Sequence, residues 1–371
     1  MMQKPSDSTA SDVGQLLFIG IEGEALTPAT RRLLADVRPG GVILFRRNAP
    51  SLPELAALCD GVRQAMEPAP LLAIDEEGGR VTRLSPHVTG LPAAATIAGV
   101  GPRRLAAYWE SYGRLLRILG MDIDFAPVLD LCLPDAANGI AERSFGTDPA
   151  LVTACAGAVG EGLRKAGIMP TLKHFPGLGP TLLDSHHRLP TVTGSREQFE
   201  AADLAPWRKL APAAEAIMIA HGHYPFYSGA DRLAATLSKE VSTTLLRESL
   251  GFRGTAISDD LEMKAVADRV PWEELAPRVV EAGSDMLLVC HKPERIRGAF
   301  DALRRRADAD PSFASRCEVA LRRIRSLRES CAAIARPFPP SDAPGGSSPG
   351  RIEEARAALV QAAGEISAPV A

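Results

Sequence analysis

Two stretches of this chain pair side chains that can move protons or attack an electrophile. In Asp184-Ser185-His186 a carboxylate stands two residues before an imidazole. Across a turning loop the two can meet, and a carboxylate that accepts one ring N–H fixes the tautomer and raises the basicity of the other nitrogen. His186 then reads as a proton shuttle and Asp184 as its partner. The plainer reading is that Asp184 caps a turn and His186 is a solvated histidine. In Ser258-Asp259-Asp260-Leu261-Glu262-Met263 two adjacent aspartates close a strand-like run. Their side chains diverge, so one enters a site while the other caps the following helix. A carboxylate held there can attack an anomeric carbon, ligate a metal or simply cap.

A third group is polar and of mixed charge: Asp75 with Arg83 eight residues on, Arg143, and Lys173 with His174. Such sets bind sugars, because charged groups make stronger hydrogen bonds to hydroxyls than neutral ones do. For each arginine alone, surface ion pairing is the simpler explanation. Lys173 fits that explanation poorly, since a lysine between an apolar run and Phe-Pro-Gly has no easy route to solvent.

What positions these residues is an alternation of short apolar runs and amphipathic segments that continues for about 300 residues. Strands are expected at 16–21, 41–45, 71–74, 122–131, 168–172, 216–220, 255–257 and 285–289, with helices at 53–66, 103–119, 149–166, 240–250 and 294–306 among the segments between. Eight strand-then-helix units with apolar strands predict an α/β fold, a (β/α)8 TIM-type barrel. A doubly wound open sheet is the rival, and no Gly-x-Gly-x-x-Gly turn follows the first strand to support it. In a barrel, reactive residues gather just after the strands. Asp75, Arg143, Lys173 and His174, His186, His221 and His223, Asp259 and Asp260, and His291 all fall at such positions.

The ends differ from this pattern. Residues 1–14 are polar and read as a flexible start without a secretory signal, the barrel spans 15–336, residues 337–350 form a Pro/Gly/Ser linker, and 351–371 hold one Ala-rich helix and a tail. That helix aligns Ile352, Ala355, Leu359 and Ala362 on one face, for packing on the barrel or for a dimer contact.

Composition narrows the function classes. With 371 residues, 46% hydrophobic and 23% charged, the chain has material for a large core. Lys plus Arg is 42 and Asp plus Glu is 45, a net charge of -3, which gives no case for nucleic acid or an anionic membrane as partner. No run is long enough to span a bilayer. Six cysteines lie far apart, without metal-site spacing, as in a reduced cytoplasmic protein. Neither a metal nor another cofactor is expected: the only His-x-His is His221-Gly222-His223, late in the chain, and the first two strands end in no ligand.

Taken together, Asp75-Glu76-Glu77-Gly78-Gly79-Arg80-Val81-Thr82-Arg83, Glu142-Arg143-Ser144-Phe145-Gly146, Lys173-His174-Phe175-Pro176-Gly177, Asp184-Ser185-His186 and Ser258-Asp259-Asp260-Leu261-x-Met263 resemble the family 3 glycoside hydrolases, and most of all their single-domain β-N-acetylhexosaminidases of peptidoglycan recycling. The resemblance runs from about residue 15 to 336 with the motifs in order. It implies a retaining mechanism with Asp259 as nucleophile and His186 as acid/base assisted by Asp184, and it implies that Asp75, Arg83, Arg143, Lys173 and His174 bind N-acetylglucosamine. The implied substrate is a small saccharide or muropeptide, N-acetylglucosamine on 1,6-anhydro-N-acetylmuramic acid; a monomer or weak homodimer is expected, the C-terminal helix leaving the choice open. One departure stands out: the family has His-Gly-Asp-Thr where this chain has Leu178-Gly179-Pro180-Thr181. A phosphorylase of the same family, and a barrel that binds saccharide with impaired turnover, remain alternatives at this point.

Overall fold

Residues 12–88, 91–132, 138–179, 181, 188–229, 231–335 and 348–367 are described by a computed structural model. Within them, nine parallel strands run in the order β5-β4-β3-β2-β1-β9-β8-β7-β6. They are β1 Leu17–Gly20, β2 Gly41–Leu44, β3 Leu71–Ile74, β4 Ile123–Asp124, β5 Met169–Pro170, β6 Leu172–Phe175, β7 Ala216–Ile219, β8 Thr255–Asp260 and β9 Met286–Val289.

Only Thr171 separates β5 from β6, so these two form one stave, and they sit at the two ends of the strand order. The ring therefore closes through Thr171. Its amide donates to the carbonyls of both Asp124 (3.0 Å) and Ala126 (2.9 Å), and Leu129 N donates to Lys173 O at 2.6 Å. The result is the TIM-type (β/α)8 barrel expected from the alternation.

Three strand boundaries differ from the sequence reading, and each difference matters for the site. The fourth stave is regular only at Ile123–Asp124, with an isolated bridge from Val128 to Lys173 further on. The fifth runs past the expected end at Leu172 to Phe175, which puts Lys173 and His174 in the strand and not in a loop. The seventh extends through Asp259 and Asp260.

The barrel interior is filled by side chains. Phe18 meets Phe125 edge to face at 5.4 Å, and position 41 must be glycine, since a Cβ there would lie 2.5 Å from the Phe18 ring. Surrounding helices start where the chain offers caps: Thr27 accepts Thr30 N before Pro28–Val37, Ser51 accepts Glu54 N before Leu52–Gln64, and Asp148 accepts Ala150 N before Pro149–Lys165.

The chain ends contribute more order than the sequence suggested. Val13–Leu16, which overlaps the stretch read as flexible, forms a buried 3-10 turn. Pro311–Ala335 is a 25-residue helix that the strand-by-strand reading did not single out. Its Arg328 donates to Gly40 O and Gln15 Oε1, both at 2.8 Å, and thereby covers the barrel end opposite the strand C-termini.

The last helix, Pro349–Ser367, begins two residues before the end of the stretch read as linker. It lies against Pro102–Ile118, burying Ile352, Leu359 and Ile366. Leu359 is 1% exposed. Leu359→Ala is expected to cost about 2 to 4 kcal/mol in urea unfolding, and an unchanged midpoint would show that this helix adds nothing to the fold.

Candidate functional site

At the C-terminal mouth of the barrel lies a cleft of about 640 Å³, lined among others by Phe45, Asp75, Glu77, Arg83, Arg143, Lys173, His174, Asp259 and His291. All five residues expected to bind sugar, and the expected nucleophile, face one space.

Lys173 is the hub. Its side chain is 2% exposed, and its ammonium stands 2.8 Å from Asp75 Oδ1 and 2.5 Å from Glu77 Oε1. Each carboxylate has a second cation. Arg83 Nη2 reaches Asp75 Oδ2 at 3.0 Å, and Arg143 grips Glu77 through Nε at 2.6 Å and Nη2 at 2.8 Å. Burial alone would raise the pKa of both acids, but Lys173 with Arg83 outweighs it at Asp75, and Arg143 with Lys173 at Glu77, so both stay ionised below the usual carboxylate range. Lys173 in turn is opposed by burial and held charged by Asp75 and Glu77.

His174 is fixed by Asp130. Nδ1 lies 2.6 Å from Asp130 Oδ2 and Nε2 lies 3.2 Å from Arg143 Nη2. Because a guanidinium only donates, Nε2 must accept and Nδ1 must carry the proton toward Asp130. The other oxygen of Asp130 accepts Leu178 N at 2.7 Å, so one carboxylate orients the imidazole and anchors the root of the following loop.

That root is well held despite its departure from the family pattern. Leu178 packs with Ile140 and Ala220, its carbonyl accepts from Asn138 Nδ2 and Thr181 Oγ1, and position 179 has no room for a side chain, a Cβ lying 2.2 Å from Leu131 O. The loop continues to Asp184, His186 and the neighbouring His187, which lie outside the described residues.

Asp259 and Asp260 both line the cleft, so the expected division into one site residue and one helix cap is not what the fold shows. Asp259 Oδ1 accepts Asp260 N at 2.8 Å at the cleft wall. Asp260 does not cap the next helix, whose N-cap position is Met263. It accepts Glu262 N at 3.1 Å and Cys290 N at 3.3 Å, tying the end of β8 to the residue after β9. Burial raises its pKa to about 7.

Several strand-end histidines serve other ends. His221 is buried against Thr236 Oγ1 (2.9 Å) and Asp260 O (3.0 Å), and His223 is buried beside Thr191. His291 does line the cleft, stacked on Phe45 with ring centroids 5.5 Å apart. Among the described residues no three His, Cys, Asp or Glu side chains converge to hold a metal ion.

Sequence reasoning missed Glu77, Asp130 and, behind them, Glu76. Glu76 is fully buried; its Oε1 accepts Arg83 N (2.5 Å) and Leu84 N (2.9 Å), and its Oε2 accepts Tyr112 Oη (2.6 Å). It therefore shapes the turn that carries Arg83.

A closed parallel barrel with a charged cleft at its C-terminal mouth and a carboxylate at one strand end fits the architecture of a barrel glycosidase. The comparisons agree with that class. Residues 8–327 match the glycosyl hydrolase family 3 N terminal domain. The chain is 39% identical to a beta-hexosaminidase of Alkalilimnicola ehrlichii over 80% of its own length and 85% of the relative's, and 37% identical to one of Chromobacterium violaceum over 81% and 85%. Among solved structures, it resembles NagZ from Neisseria gonorrhoeae in complex with N-trifluoroacetyl-D-glucosamine, with TM-score 0.72 and 30% identity over 95% of this chain and 98% of that one. A family 3 beta-N-acetylglucosaminidase from Paenibacillus sp. gives 0.82 and 33% over 98% and 69%. This chain belongs to glycoside hydrolase family 3.

Two outcomes follow from the charges. Lys173→Met leaves Asp75 and Glu77 with one cation each and is expected to cost about 3 kcal/mol in chemical unfolding; a neutral substitution would show the network to be dispensable. Glu76 is pushed by burial from 4.5 to about 7 against its hydrogen bonds from Tyr112 and two backbone amides. A raised folded pKa gives stability that is complete below the unfolded value and is lost as pH rises through about 7. Glu76→Gln should flatten the fall in melting temperature between pH 4.5 and 8; an equal slope in both proteins would refute this.

Proposed function

We propose that the protein is a retaining β-N-acetylhexosaminidase that releases terminal β-linked N-acetylglucosamine from muropeptides. The observation that carries this reading is the single cleft into which Asp75, Arg83, Arg143, Lys173, His174 and Asp259 all open, in a chain of glycoside hydrolase family 3 whose relatives are named beta-hexosaminidases.

In this reading the sugar's hydroxyls take their hydrogen bonds from Lys173, Arg143 and the Arg83–Asp75 pair, all four already ionised and fixed before substrate arrives. Asp259 attacks the anomeric carbon and forms a glycosyl-enzyme while the bond to the leaving oxygen breaks. His186 gives that oxygen its proton. Once the aglycone has left, the same imidazole takes a proton from water, which displaces Asp259 and restores the free enzyme. Asp184 orients the ring and offsets the imidazolium charge. Where retaining glycosidases ordinarily use a second carboxylate about 5 to 5.5 Å from the first, an imidazole on a loop does both transfers.

We infer a cytoplasmic setting and a place in cell-wall recycling. Five of the six cysteines are buried, which suits a reducing compartment. Among the described residues no helix is long and apolar enough to cross a membrane.

Hydrolysis of 4-nitrophenyl N-acetyl-β-D-glucosaminide, the matching glucoside and a muropeptide tests the reading. Release is expected from the N-acetyl substrates alone, with β-configured sugar as first product by NMR. Asp259→Ala should abolish it, and His186→Ala should lower it roughly 100- to 10,000-fold. Exhaustive chelation should leave it unchanged. Well-folded wild type that releases nothing from any of the three, or a first product of α-configuration, would overturn the proposal.

A further inference from the structure

A second cleft, of about 440 Å³, opens near the strand N-termini, at the end of the barrel away from the mouth. Its inner wall is a cluster of arginines around one acid. Asp285, 0% exposed, precedes β9 and ties it to β8 by accepting Ala256 N at 3.0 Å. Three guanidiniums converge on that carboxylate: Arg247 Nη2 at 2.5 Å on Oδ2, with Arg316 Nη2 and Arg323 Nη1 each at 3.0 Å on Oδ1.

Three cations on one buried anion leave a surplus of positive charge. Elsewhere on the lining, Arg306 is shared by Glu281 and Asp310, while Lys239 and Glu248 make no ion pair among the described residues. The surplus therefore sits on the inner wall with Lys239 at the rim. Its effect on Arg247 is visible: burial, with repulsion from Arg323 and Arg316 working against the attraction of Asp285, lowers its pKa to about 10.

Hydrogen bonding tells the same story independently. Arg316 Nη1 and Arg247 Nε are enclosed and have no acceptor. Arg316 also donates to Ser284 O at 2.7 Å and Arg247 to Gly254 O at 2.6 Å, so these side chains brace the strand roots as well; a buried donor left unpaired is destabilising, and both unpaired donors belong to the group in which cations outnumber acids.

We propose that this cleft binds a phosphoryl oxyanion, inorganic phosphate or a small phosphate monoester, through Arg316, Arg323 and Lys239. The volume admits an ester as readily as the free ion, and the site is separate from the mouth where Asp259 lies. It begins at the roots of β8 and β9, the two strands whose far ends carry Asp259 and His291.

Calorimetric titration with inorganic phosphate and, in parallel, glycerol 3-phosphate, with ionic strength held constant by sodium chloride, tests this without relying on turnover. The expected result is saturable 1:1 binding and a rise in melting temperature with ligand, the tighter ligand showing which source of the phosphoryl group the site takes. Affinity should fall roughly tenfold or more in Arg316→Gln and measurably in Lys239→Gln, while Arg297→Gln, which loses a pair with Asp36 elsewhere on the surface, should bind as wild type. Lys239 is exposed, so that variant answers even where Arg316→Gln fails to fold. Phosphate and its ester binding no better than chloride, or binding equally well in Lys239→Gln and Arg316→Gln, would overturn the proposal.

Discussion

The cleft depends on a lysine that has no water. Lys173 sits on the barrel floor with its ammonium between Asp75 and Glu77, and an ammonium moved from water into such surroundings loses several kcal/mol of hydration even after the protein relaxes. One carboxylate would not restore this; two, each held by an arginine of its own, can. The condition is mutual, because Asp75 and Glu77 are also buried and stay ionised only while Lys173, Arg83 and Arg143 face them. Five side chains from three separate parts of the chain are thus fixed by one charge balance. Rigidity before binding is a consequence, and it lowers the ordering cost of holding a flexible, strongly hydrated ligand in this cleft.

The irregular staves make that balance geometrically feasible. A regular β4 would offer its carbonyls evenly along β5 and β6. Instead Thr171 N meets two carbonyls of the fourth stave and the bridge resumes only at Val128 and Lys173, so the barrel closes with a step at this seam. Beyond the step, Asp130 reaches His174 and Leu178 N together. The chain that leaves β6 is therefore held at Leu178 and Gly179 by a carboxylate, by Asn138 and by the lack of space for a Cβ at position 179.

Much of this was legible from residue order, because barrels put their chemistry after the strands and the strands were short apolar runs. Asp75, Arg83, Arg143, Lys173, His174 and Asp259 could be read in that way. Glu77 and Asp130 could not. Glu77 lies in a run of three acids where nothing local distinguishes the one that will meet Arg143, 66 residues away; Asp130 ends an apolar run and looks like a strand residue, its partner His174 lying 44 residues on. The histidines failed in the opposite sense. His221 and His223 occupy strand-end positions, yet the His221 ring is satisfied by Thr236 and a backbone carbonyl and His223 Nδ1 lies against Thr191, a use of histidine that sequence position alone does not separate from catalysis. The helix at 311–335 was missed because it closes the barrel's far end and so falls outside the strand-helix alternation.

Neighbouring acids in this fold are driven apart by what faces them. Asp75 and Glu77 meet cations and stay ionised; Glu76, between them in sequence, turns the other way toward Tyr112 and two amides, and burial, only partly offset by those hydrogen bonds and by Arg83, raises its pKa to about 7. Asp124, which accepts Glu76 N, is raised by the same burial. At the opposite wall burial likewise raises Asp260, although both Asp259 and Asp260 line the cleft. Alternation of side-chain direction along an extended segment is what separates Glu76 from Asp75 and Glu77: one acid serves the cleft, the next is folded into the wall behind it. A run of acids would otherwise crowd like charges at the sugar. Sorted in this way, Asp75 and Glu77 flank a neighbour that burial tends to keep neutral, and the field on this side of the cleft is set mainly by Lys173, Arg83 and Arg143 acting on Asp75 and Glu77.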